Sequence, residues 1–92
     1  VSDEHERLLA AVAPLRAIGW VFVRTTLAAP TTKRTVPALF GLRTHGDLED
    51  NIQTWEQWAI ASRTKKTQTH ETTLWHTSGP LEQIVQELLT LP

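Results

Sequence analysis

Near the C-terminus, Leu81, Ile84, Val85, Leu88 and Leu89 recur at the i, i+3, i+4, i+7, i+8 spacing that places side chains on one face of a helix. Glu82, Gln83, Gln86 and Glu87 fall on the other face. Ser78-Gly79-Pro80 precedes the run and supplies a cap residue, a flexible joint and a proline near the first helical position, where its missing N–H costs nothing. The pattern predicts an amphipathic helix over 80–91. Each of the five apolar side chains, once buried, contributes roughly 1.5–3 kcal/mol before entropy is deducted.

A second helical pattern opens the chain. Leu8, Leu9, Val12, Leu15 and Ile18 share a helical face, with Ser2 as N-cap and Asp3, Glu4 and Glu6 at the positive end of the helix dipole. Pro14 lacks a donor and clashes with the carbonyl four residues back, so a break is expected near Ala13. A short second turn should end at Gly19.

Between these helices the pattern is that of strands. Residues 20–27 are rich in β-branched and aromatic side chains. A loop at 28–34 follows, then a strand at 35–43 in which Val36, Ala38, Phe40 and Leu42 alternate, with Pro37 suggesting an edge or a late start. After a turn at 44–47 the periodicity is mixed. Leu48, Ile52, Trp55 and Ala59 fit a helix capped by Asp47, whereas 58–62 alternate as a strand does. The reading adopted is a short helix over 47–54, a strand over 56–63, a hairpin loop over 64–69 and a strand over 70–77. Together these elements predict one α+β domain spanning 1–92, an antiparallel sheet of about four strands with helices near both termini packed on one face.

Composition narrows the picture further. Ninety-two residues make one modest core, with four Trp and two Phe as its largest members and no Tyr, Met or Cys. Without cysteine there is neither a disulfide nor a thiolate metal site. No apolar run approaches the ~18 residues of a membrane span, and no signal-peptide pattern is present, so a cytoplasmic domain is the default. The net charge of −1 conceals blocks: +5 over 16–46, −4 over 47–56 and +2 over 57–71.

Few residues suggest chemistry. His70 and His76 fall on one predicted strand but about 20 Å apart, too far to share a metal. The carboxylates at 3–6 and 49–56 sit where acids stabilise helix starts. The glycines are single, and no serine lies in a nucleophile elbow. No catalytic residue, metal or cofactor is therefore assigned. Two binding surfaces are. Lys33, Arg34, Arg63, Lys65 and Lys66 lie at predicted hairpin tips among threonines, close in sequence to strand aromatics, as in single-strand nucleic-acid binders. The pI near 6.5 weighs against that use. The first strand is apolar on both faces: Val21, Val23 and Leu27 on one, Trp20 and Phe22 on the other. Either it is buried on both sides or Trp20 and Phe22, with Trp58 and Trp75, form a protein interface.

The stretch Trp58-Ala59-Ile60-Ala61-Ser62, followed by Leu74-Trp75-His76-Thr77-Ser78-Gly79-Pro80-Leu81-Glu82, resembles a family of small actinobacterial domains of unknown function. The shared pattern is a Trp strand, a variable loop, a second Trp strand and a proline-started helix with an early glutamate. It covers about a third of the chain and implies architecture only. Taken together, the residues predict a non-catalytic binding or regulatory module acting through a protein surface as a homodimer, with nucleic-acid binding at the basic tips as the alternative.

Overall fold

A computed structural model describes residues 3–29 and 33–91. Helix α1 (Asp3–Ala11) ends where Pro14 demands, and α2 (Ala13–Ala17) carries that proline in its first turn. Gly19, at φ +104°, turns the chain into the sheet in a conformation open mainly to glycine. Five strands then run as an antiparallel meander: β1 (Val21–Ala28), β2 (Thr35–His45), β3 (Leu48–Trp55), β4 (Trp58–Lys66) and β5 (Glu71–Pro80), in spatial order 1-2-3-4-5. β5 leads without a loop into α3 (Leu81–Leu89). The expected N-cap Ser2 lies outside the described residues.

The class and the placement of helices at both ends match expectation, but the sheet has five strands. The additional one is β3, which occupies the segment read as a short helix. Its helix-like spacing was coincidental, for Leu48 and Ile52 face one side of the sheet and Trp55 the other. Tight two-residue turns enclose it on both sides. Gly46-Asp47 joins it to β2 with Gly46 at φ +66°, and Glu56-Gln57 joins it to β4. Ser78 and Gly79 belong to β5 rather than to a cap, so Pro80 is at once the last strand residue and the N-cap of α3. Pro37 lies in the second strand, not at an edge. It sits one residue beyond the last β2–β3 pair, Ala38–Trp55, so no strand asks for its missing N–H from that side.

All three helices lie on one face. α1 crosses β2, α3 covers β4 and β5, and α2 touches α3. Leu8, Val12, Leu15, Ile84, Val85 and Leu88 meet Leu39, Ile52, Ala59 and Ala61 of the sheet in one core. The two alanines are small, which lets α3 sit close to β4. Polar ties fix the layers. The His5 Nε2 donates to the Thr25 carbonyl at 2.9 Å, Arg7 donates to the Glu56 carbonyl, and the Leu81 amide donates to the Gln57 carbonyl at 2.7 Å.

Candidate functional site: the open face of the sheet

The strand register sorts every side chain to one face or the other. On the helix side, Phe22, Gly41, Ile52, Ala61 and Thr77 form one cross-strand row, and Arg24, Leu39, Thr54, Ala59 and Gly79 the next. On the opposite side there are three complete rows. They are Val21-Leu42-Asn51-Ser62-His76, Val23-Phe40-Gln53-Ile60-Ser78 and Thr25-Ala38-Trp55-Trp58-Pro80. Among the described residues, no helix lies over these rows.

That open face is strongly apolar. Val21 is 66 % exposed, Val23 57 %, Trp58 50 % and Ile60 47 %, with Phe40 and Leu42 half-buried between them. Trp55, opposite Ala38 on the neighbouring strand, is buried at 8 % exposure. Together with Trp58, Ile60 and Ser78 it lines a shallow groove of about 380 Å³. Two apolar lobes result, one on β1–β2 and one on β4, joined at one end by the row Ala38-Trp55-Trp58. Between them runs a polar strip on β3, in which the Ser62 hydroxyl donates to the Asn51 side-chain oxygen at 3.0 Å. No residue of the three rows is Asp, Glu, Lys or Arg. The acids and bases of this face, Glu49, Lys66 and Glu71, lie beyond the rows at one end, where Lys66 and Glu49 pair at 3.0 Å.

The aromatic residues singled out from sequence divide between the two sides. Trp20 precedes β1 and is only 4 % exposed, inside the core, with its ring stacked on Phe22 at 6.2 Å. Phe22 is half-buried on the helix side, as is Trp75 opposite Arg63. Of the four, Trp58 alone stands on the open face. The exposed large apolar side chains of the first strand are therefore Val21 and Val23, the parity opposite to Trp20 and Phe22. Gly19 sets that parity by turning Trp20 under the helices, and side-chain alternation then carries Val21 outward.

The five basic residues do not form one patch. Arg63, Lys65 and Lys66 belong to β4 itself rather than to a loop, which is confined to 67–70. In a meander the β1–β2 and β4–β5 connections lie at opposite ends of the sheet, so Lys33 and Arg34 are a strand length away from Lys65 and Lys66. Acids stand beside the latter group: Asp47 lies 3.9 Å from Lys65, Glu49 pairs with Lys66, and Asp50 binds Arg63.

Sequence reasoning missed the cluster around Asp50. This carboxylate is 1 % exposed on the helix side of β3. Arg63 donates to it from Nε at 2.7 Å and from an Nη at 3.0 Å, and His45 Nε2 lies 3.2 Å away. Burial pushes the Asp50 carboxyl up, but the hydrogen bonds from Arg63 and His45, together with their charge, outweigh it and hold it below the usual range. A carboxylate so fully engaged is an anchor between strands rather than a free acid or base.

No protein-family model, curated protein or solved structure matches this chain.

Proposed function

We propose that this domain is a non-catalytic protein-binding or regulatory module that works through the open face of its sheet. One observation carries the reading. An antiparallel sheet with helices on one side ordinarily turns polar residues to water on the other, yet here Val21, Val23, Trp58 and Ile60 are about half or more exposed on that side. Contiguous apolar surface rimmed by polar residues marks an interaction site. A charge-poor centre containing an aromatic residue is also the composition of interface cores.

Nucleic-acid binding has less support. The basic residues are split between the two ends of the sheet and those on β4 are acid-paired, while Trp20 is unavailable for stacking. The open face offers Trp58 for stacking but no lysine or arginine in the rows around it.

The test is a photoreactive amino acid placed at Ile60 and, as control, at exposed Glu82 on the helix side. On irradiation in cells, position 60 should give discrete protein adducts and position 82 should not. Equal labelling at both positions would overturn the reading.

A further inference from the structure

We infer that the partner seated on the open face is a second copy of this chain, packed face to face about a two-fold axis. This rests on the reading of that face as a protein-binding surface and names its occupant.

Three observations single out self-association. The first is charge. In a two-fold contact, the residues at the axis meet their own copies, so a charge there would face its like. The centre of this face holds Asn51 and Gln53 on the middle strand, no formal charge lies in the three rows, and Glu49, the next open-face residue along β3, is paired with Lys66 of its own chain at 3.0 Å. A side-chain amide carries both donor and acceptor, so it can bond its own copy. With apolar residues on either side of the strip, a rotation about an axis along β3 lays β2 of one copy over β4 of the other and β1 over β5, so Phe40 meets Ile60 and Ala38 meets Trp58, twice, with Val23 against Ser78.

The second is area. Five strands about 4.8 Å apart and eight residues rising about 3.3 Å each outline a face of roughly 600 Å². A standard interface takes about 800 Å² from each partner. Used whole, the face reaches the lower end of the range for specific interfaces, about 600 Å² per partner.

The third is the state of the edges, which are the competing route to a dimer. On β1 the Thr25 carbonyl is already bonded by His5. On β5 the pairing slips at Arg63/Thr64, leaving Leu74 as an extra residue, and Pro80 ends the strand. Capped and bulged edges are poor templates for adding a strand.

Sedimentation equilibrium should give twice the 10.4 kDa chain mass at micromolar to sub-millimolar concentration. Val23→Lys and Ile60→Lys should each keep the wild-type circular dichroism spectrum and sediment as monomers. The chain has no cysteine, so Gln53→Cys provides a single thiol at the centre of the exposed face. A short bis-maleimide should join two Gln53→Cys chains, and should not join Glu82→Cys chains. This arm decides the matter even if a lysine variant does not fold. A monomer at sub-millimolar concentration overturns the homodimer. So does a dimer in which the Gln53→Cys chains do not cross-link or folded Ile60→Lys remains paired. If the chain is monomeric but position 60 still captures another protein, the binding reading stands and its occupant is wrong. If position 60 captures nothing, both fail.

Discussion

Asp50 on β3 and Arg63 on β4 stand directly opposite each other across the ladder and share two hydrogen bonds, of 2.7 and 3.0 Å, at the end of the sheet. Both are largely withdrawn from water, so the pair is better judged by what its loss exposes than by its Coulomb energy. Asp50→Asn removes the carboxylate charge that two Arg63 hydrogen bonds engage in a buried setting, an expected loss of about 3 kcal/mol in urea denaturation. Replacing both, as Asp50→Leu with Arg63→Met, should recover most of that loss, because the desolvation cost of both charges is removed as well.

The same pair sets the acid limb of stability. The Asp50 carboxyl ionises at lower pH in the folded chain than in the unfolded one, whose value is near 3.8. The unfolded chain therefore takes up the proton first as pH falls. The contribution of Asp50 is complete above pH ~4 and is lost as pH drops through the depressed folded value. Urea midpoints measured over this range should fall with acid in the wild type and fall less steeply in Asp50→Asn.

Ile84 and Leu88 on α3 are fully buried against the sheet, whereas Leu89 is only partly so. Truncation to alanine should cost about 2–5 kcal/mol at Ile84 or Leu88 and distinctly less at Leu89. A domain of this size has on the order of 5–14 kcal/mol in total, so the double variant Ile84→Ala/Leu88→Ala should be largely unfolded at 37 °C, as circular dichroism would show.

Gly41 pairs with Phe22 across β1 and β2, and the phenyl ring lies over the bare glycine backbone. A methyl group at this position would overlap the ring. Gly41→Ala should therefore destabilise by about 1–3 kcal/mol through overpacking. In the background Phe22→Ala the added methyl has room, so the cost should shrink, giving a coupling energy above about 0.5 kcal/mol in a double-mutant cycle, the least that residues in contact ordinarily show.

The two halves of the molecule differ in how much their residues disclose. α3 was legible because its whole buried stripe is aliphatic and local. Pro14 and Gly19 likewise announced the broken helix through their own backbone limits. β3 was not legible, because two of its buried helix-side residues are Asp50 and Thr54. Asp50 is held inside by Arg63, thirteen positions on, and the Thr54 hydroxyl donates to the Trp58 carbonyl at 2.7 Å. Hydrophobic alternation cannot register a strand whose inward polar groups are satisfied by residues outside it. The open face was half legible. An apolar first strand with too many buried-type side chains was visible, but which parity faces the helices depends on how the Gly19 turn presents Trp20.

The Glu56-Gln57 turn escaped notice for a related reason, and it yields the last prediction. Two-residue hairpins usually advertise themselves by Gly, Asn or Asp at positions of positive φ. Here Glu56 takes φ +52° with a β-carbon in place, which costs an ordinary residue about 1 kcal/mol or more. The turn holds Trp55 and Trp58 as a cross-strand pair, and the Arg7 guanidinium bonds the Glu56 carbonyl. Both features use the backbone, and the glutamate side chain adds only the attraction of its charge for Arg7. Glu56→Gly should therefore keep the turn, relieve the strain and raise stability by about 1 kcal/mol, a gain in Tm of roughly 4–8 °C for a domain of this size. Glu56→Ala retains the β-carbon and should leave Tm nearly unchanged. Equal gains from glycine and alanine would show that the glutamate's charge, rather than its backbone angle, is what burdens the turn.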